Sequence, residues 1–218
     1  MDTTISTSDA AGTTAAVTTT TARWYLAAAA LWTVSVAWET LFAHQDTPAD
    51  GPSFWINEAF AYAAMTCLVT AVWRSGTEGL AGSSRAGRIW LNAMAVCWVL
   101  IMIGALLMNA LNLKPAVALV VVGGAGRMLA ELVAGLVVAR RGPTPLPGRA
   151  VFAVYGVSMA IVSIVSPDGP GHPAEFAMGA LWALIGLSAR PITPRLNRGC
   201  AAAAVACAAL AVTAALVS

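Results

Sequence analysis

The chain has 218 residues, 59% of them apolar and only 10% charged, with a mean hydropathy of +0.76. A water-soluble domain carries roughly 25% charged residues, so this composition excludes a soluble globule and points to a membrane protein. The net charge of +2, with basic residues scattered over separate loops, excludes a nucleic-acid-binding surface.

Residues 1–22 contain nine Thr and two Asp but no Lys, Arg or large aromatic residue. Such a segment buries too little surface to offset its ordering entropy and is expected to be a disordered tail. No basic stretch precedes the first apolar run, so that run is expected to stay as a membrane helix rather than be cleaved as a signal peptide. Seven apolar stretches follow, at 24–44, 53–73, 88–109, 115–139, 149–166, 172–189 and 199–217. Each is close to the ~20 residues that cross a hydrocarbon core about 30 Å thick. The expected fold is therefore all-α, a polytopic membrane domain of seven transmembrane helices over residues 23–218 with short loops and no soluble domain.

Charge sets the orientation. With seven spans, Arg23, Arg74, Arg85, Arg88, Arg140, Arg141, Arg149, Arg190, Arg195 and Arg198 fall on one side and only Lys114 on the other. The positive-inside rule then places the N-terminus inside, in a multi-pass protein of the cell membrane. Trp24, Trp73 and Trp90 lie near the inner surface and Trp38 and Trp55 near the outer one, as interfacial belts require. Cys67, Cys97, Cys200 and Cys207 have no metal-ligand spacing and read as small packing residues. No tandem repeat is visible, so the inverted-repeat architecture of transporters has no support.

Glu39, Glu58, Glu131 and Glu175 fall inside spans, where a carboxyl is costly and marks function by default. Glu39, Glu58 and Glu175 lie within a turn or two of the outer helix ends and are expected to converge there, below Asp46, Asp50, Asp168 and His172. Each has a plainer reading. Glu175 and Glu58 sit toward helix N-termini, where the dipole favours a negative charge, whereas Glu39 is near a C-terminus, where it opposes one. Glu131 follows Arg127 by four residues and is expected to pair with it on one helix face, beside Gly123-Gly124-Ala125-Gly126, which lets a neighbouring helix come close. Trp32, Tyr62 and Trp182 lie at helical spacing around the outer acids, and Trp98, Met102, Ala105 and Asn109 form a stripe on the third span. Alone, such stripes are ordinary helix packing. With carboxyls at one end, they describe an apolar pocket for a greasy substrate that needs a proton.

Ala37-Trp38-Glu39, late in the first span, resembles the Ala-Trp-Glu element of the membrane-bound terpene cyclases of meroterpenoid and indole-terpenoid pathways. Size and the Ala-, Arg- and Gly-rich composition are similar to those of the actinomycete drimentine-type indole sesquiterpenoid cyclases. The resemblance implies an enzyme that protonates an alkene or epoxide of a prenyl chain, here a farnesyl, already attached to an aromatic or indole core. It then cyclises that chain by a carbocation cascade, without a diphosphate leaving group, metal or other cofactor. The resemblance maps one acid onto Glu39 and a second onto a late helix, where Glu175 is the available carboxyl and Glu58 the alternative. Trp32, Trp38, Tyr62, Trp98, Met102, Asn109 and Trp182 are the candidate substrate-binding residues. No Asp-rich element of the DDxxD or DxDD type occurs in the sequence, which excludes Mg²⁺-assisted diphosphate ionisation and the soluble proton-initiated cyclases. The expected partners are a prenylated small molecule and the bilayer, with no obligate protein partner. The alternative is a small proton-coupled transporter or permease component that uses Arg127, Glu131 and the outer acids as a proton path.

Reporter fusions after residues 80, 144 and 194 are expected to read cytoplasmic at all three positions. An external reading at any one of them breaks the seven-span topology.

Overall fold

A computed structural model describes residues 8–42, 51–144, 146–166, 171–190 and 193–217, and nearly all of them are helical. The helices are α1 (Ser8–Phe42), α2 (Pro52–Thr77), α3 (Arg85–Leu111), α4 (Val117–Arg141), α5 (Leu146–Val165), α6 (His172–Ser188) and α7 (Pro194–Val217), with a 3-10 turn at Lys114–Ala116 leading into α4. Six of them are long and apolar enough to cross a membrane, α1 from Thr19 onward and α2, α3, α4, α5 and α7. They also turn large apolar side chains outward: Leu41, Ile89, Val121, Ile164 and Leu210 are each more than half exposed. Apolar surface on that scale suits lipid rather than water, and the architecture is that of a multi-pass membrane protein. The remaining helix, α6, has 17 residues and is the most enclosed, with Leu181 and Trp182 wholly buried.

The expected boundary between tail and domain falls inside α1. The helix begins at Ser8, and Thr21 and Ala22, assigned above to a disordered tail over 1–22, are 3% and 0% exposed. The reason is tertiary. The Thr21 hydroxyl donates to Glu78 at the end of α2, Glu78 pairs with Arg74 at 2.6 Å, and the Ala22 carbonyl lies against Gly186 of α6. These partners are more than fifty residues away, and a composition of Thr and Ala does not register them.

Successive helices alternate in direction. Helices α1 to α6 follow one another around a ring that closes where α6 meets α1, and α7 lies outside, against α5 and α6. One end of the ring gathers the arginine-rich loops. There Arg141 Nη1 donates to Ser84 Oγ at 3.3 Å, Gly142 packs on Leu80 and Arg149, and Gly148 packs on Ser188 and Asn197. The tight turn before α3 uses Gly79 and Gly82 at φ of 79° and 66°, and a Cβ on Gly82 would strike the Arg141 carbonyl.

Small residues set the spacing in the middle of the ring. A Cβ on Gly123 would sit 2.8 Å from Ile101 and 2.9 Å from the Cys97 carbonyl, so α3 approaches α4 there, whereas Gly124 faces open space. Gly156 of α5 lies against the backbone of Glu131, which brings α5 onto α4 and sets Tyr155 beside that acid. Gly156→Ala is expected to push the two backbones apart at a cost of about 1–3 kcal/mol and to lower the melting temperature in detergent. Gly124→Ala has room and gains helix propensity, about 0.5–1 kcal/mol. Equal melting temperatures for the two variants would remove this account of the α4–α5 contact.

Candidate functional site

Helix direction alone places Glu39 in the last turn of α1 and Glu175 in the first turn of α6, and the two helices pack side by side. Gly171 caps α6 with Pro173 in its first turn, and no side chain caps the free N–H groups. Glu39, opposed by the dipole of its own helix, thus lies against the positive end of another. Glu39, His172 and Glu175 each bring one oxygen or nitrogen to within 4.8 Å of the others, all three half-buried. His172 Nδ1 is 3.7 Å from Glu175 Oε2. Two carboxylates this close repel one another, and a shared proton, a protonated His172 or a cation relieves the repulsion. Among the described residues this is the one cluster of three or more His, Cys, Asp or Glu able to share a metal ion.

Directly inward of the trio, a groove of about 460 Å³ runs along the α1–α6 seam, lined by Leu26, Ala29, Thr33, Phe176, Gly179 and Ala183. Trp32 stands behind it, near enough that a Cβ on Gly179 would lie 3.3 Å from its Cδ1. The Trp32 indole donates to the Glu175 carbonyl at 3.1 Å and meets Trp182 edge-on at 5.4 Å, and Trp182 meets Trp98 at 5.9 Å. Three of the expected substrate-binding residues therefore form a row from the seam to the centre of the ring.

The other expected residues go elsewhere. Glu58 accepts from Asn109 Nδ2 at 3.2 Å with the Tyr62 hydroxyl beside them, and Met102 Sδ accepts from Thr66 at 3.7 Å, all on the α2–α3 seam. The expected convergence of three acids is thus a convergence of two, because α2 lies across α1 from α6 and Glu58 faces α3. The Ala-Trp-Glu element divides in the same way. Trp38 turns to α2, donating to the Ser53 carbonyl at 3.2 Å and meeting the Phe42 ring at a tilt with centroids 4.4 Å apart, while Glu39 turns to α6. Asp46, Asp50 and Asp168 lie outside the described residues.

At the middle of α4 the expected Arg127–Glu131 pair is present but loose, with Nε 3.8 Å from Oε2. The close partner of Glu131 is Tyr155, whose hydroxyl donates to Oε1 at 2.6 Å. Arg127 donates to Ser163 at 3.3 Å and lays its guanidinium 4.7 Å over the Trp98 ring. Glu131 is sealed, with no exposed surface. Sequence reasoning missed Tyr155, although a tyrosine at the middle of the span 149–166 carries a hydroxyl that must find a partner inside the bundle.

Comparison with family models, with curated proteins and with solved structures gives no match.

Removing the Tyr155 hydroxyl (Tyr155→Phe) strips Glu131 of its close hydrogen bond and is expected to cost about 1–3 kcal/mol. Arg127→Met or Glu131→Leu alone leaves a buried charge without its partner, about 3–5 kcal/mol, and the double variant is expected to cost less than the sum. Additive losses in a thermal double-mutant cycle would show that the two charges do not stabilise one another.

Proposed function

We propose that the chain is a cofactor-independent terpene cyclase of the cell membrane that protonates and cyclises a farnesyl chain carried by an aromatic or indole-containing acceptor. In this reading α6 is the seventh span, about 25 Å long at 1.5 Å per residue, and the arginine-rich end faces the cytoplasm. One observation carries the reading: two carboxyls and an imidazole from different helices meet at the head of an apolar groove with tryptophan behind it. The Ala-Trp-Glu resemblance supplies the reaction class.

In that arrangement the prenyl chain enters the α1–α6 seam from the lipid. One of Glu39 and Glu175 gives a proton to the distal alkene, whose π pair forms the new C–H bond and leaves a tertiary cation. The π pair of the next alkene closes a ring onto that cation. Trp32, directly behind the groove, stabilises the positive charge, and the apolar walls keep water from quenching it. The cascade ends when the partner carboxylate removes a proton next to the final cation and the C–H pair becomes an alkene. The product is an isomer of the substrate, and the proton moves back to the donor within the trio. His172 positions Glu175 and adjusts the charge of the pair.

The test is to incubate membranes containing the protein with farnesylated indole substrates and look for a cyclised product of unchanged mass. Glu39→Gln and Glu175→Gln are each expected to lower turnover by about 100-fold or more while leaving the folded yield intact. Glu58→Gln, on the neighbouring seam, is expected to retain most of it. Chelators are expected to have no effect. Loss on chelation with recovery on adding a divalent cation would make the trio a metal centre and overturn the metal-free mechanism.

A second reading, a proton-coupled transporter, is favoured by the depth of the polar groups. Glu131 sits at mid-span below the outer trio, and the Tyr25–Ser75 pair at 3.1 Å and Glu78 continue toward the arginine-rich end. Proton uptake by proteoliposomes driven by a solute gradient, lost in Glu131→Gln, would decide for this reading and against the cyclase.

A further inference from the structure

Neither α5 nor α7 carries an acidic residue, and each brings arginine to its first turns, Arg149 on α5 and Arg195 and Arg198 on α7. Both helices lead away from the arginine-rich end, and they start level with one another. A Cβ on Gly148 would lie 3.2 Å from Asn197 Oδ1, and the residues that follow this contact are Arg149 and Arg198. Among the described residues none of the three arginines has an acidic partner. Arg149 Nε has no hydrogen-bond partner, and Arg198 Nε donates to the Pro194 carbonyl of its own helix at 3.4 Å. Glu78, in the loop beyond α2, is already held by Arg74 and Thr21. The N-terminal dipoles of α5 and α7 add to this unbalanced positive charge. Below the arginines an apolar groove of about 480 Å³ runs along the α5–α7 seam, walled by Val154, Val157 and Ile161 of α5 and Val205, Ala209 and Val212 of α7. It opens to the outside of the bundle, where Val157, Ile161 and Val205 are exposed. Arg198, Val205 and Val212 recur every seven residues, two helical turns, so one stripe of α7 bears both the guanidinium and the groove wall. On α5 the groove extends from Ala153 to Ile161, about 6 to 18 Å beyond Arg149 at 1.5 Å per residue. That is the depth of one leaflet of a hydrocarbon core about 30 Å thick.

We propose that the α5–α7 seam binds one anionic phospholipid from the leaflet at the arginine-rich end, with its phosphate between Arg149 and Arg198 and one acyl chain in the groove. An apolar groove alone accepts any acyl chain, and arginines alone accept any anion. Their succession along one seam, charge at the interface and then a groove toward the bilayer centre, matches an amphiphile with an anionic head. Guanidinium groups hold phosphate oxygens by paired N–H donors, and their long stems reach up from apolar surface to the headgroup level. A zwitterionic lipid brings an ammonium group to the same arginines and is disfavoured. A second copy of the chain, packed side by side in the same orientation, would bring its own arginines against these, and like charges would oppose that contact. The site needs only the bundle in a bilayer. It shares no lining residue with the α1–α6 groove and does not depend on the cyclase reading.

The test is native mass spectrometry of the whole protein in mild detergent, titrated with an equimolar mixture of dioleoyl phosphatidylglycerol and dioleoyl phosphatidylcholine. The protein with one phosphatidylglycerol is expected to exceed the protein with one phosphatidylcholine about tenfold. Arg149→Gln together with Arg198→Gln is expected to bring the two lipids near parity. Arg85→Gln together with Arg88→Gln makes the same change of charge on α3, which touches neither α5 nor α7, and is expected to leave the preference intact. Ala209→Phe fills the groove with both arginines in place and is expected to lower retention of both lipids several-fold. Ala209 is exposed, so this variant keeps the test open if loss of Arg149 lowers the folded yield. Glycerol phosphate in excess, the headgroup without a chain, is expected not to displace the lipid. Equal retention of the two lipids by the unaltered protein overturns the proposal, as does an equal loss of preference in both arginine pairs. Displacement by glycerol phosphate would reduce the site to a phosphate contact, and a dimer that Ala209→Phe dissociates would give the groove to a second copy. Either result also overturns it, whatever the outcome of the cyclisation assay.

Discussion

A carboxyl group at the middle of α4, closed off from solvent, has to find its partners inside the bundle, and they come from three other helices. Tyr155 of α5 supplies the close hydrogen bond, and Trp98 of α3 and Trp182 of α6 present their indole edges to the acid and to its tyrosine. Arg127, one turn away on the same helix, balances the charge and reaches out to Ser163. Desolvating such a pair costs several kcal/mol per ion before any contact is made, so the polar centre is a weak source of net stability. Its effect is on specificity. Only one rotation of α3, α4, α5 and α6 about their axes points these groups at each other.

The glycines that permit this geometry are placed accordingly. Gly123 and Gly126 let α3 reach α4, and Gly156 lets α5 press on the Glu131 backbone. In lipid the hydrophobic effect does not distinguish a helix face turned to a neighbour from one turned to acyl chains, so close packing and polar contacts decide which faces meet. The outward leucines, isoleucines and valines are left to the bilayer, and the small and polar residues are drawn inward.

The outer end follows from ring closure. Because α6 returns to α1, a helix C-terminus bearing Glu39 meets a helix N-terminus bearing His172 and Glu175, and the dipole of one offsets the penalty on the other. The groove below them opens sideways between α1 and α6. The row of Trp32, Trp182 and Trp98 joins this seam to the polar centre.

Much of the architecture was legible in the sequence because it depends on local quantities. Apolar length marks a span wherever the chain later goes, and six helices long and apolar enough to cross the membrane coincide with expected stretches. The segregation of arginine into alternate loops likewise reappears as one arginine-rich end of the ring. The i,i+4 spacing of Arg127 and Glu131 needed only a helix to become a pair. What depends on the rotation and order of the helices was not legible. Depth along a helix made Glu39, Glu58 and Glu175 look equivalent, but the face each acid occupies sends Glu58 to Asn109 on one seam and the other two to His172 on another. Thr21 and Ala22 read as tail because their partners, Glu78 and Gly186, are remote in the chain. Tyr155 read as one more aromatic residue until α5 set it against Glu131. Residue type and spacing determine which segments become helices and cross the bilayer. Only the packing of those helices against one another decides which polar atoms share a site, because that choice rests on contacts between residues far apart in the chain.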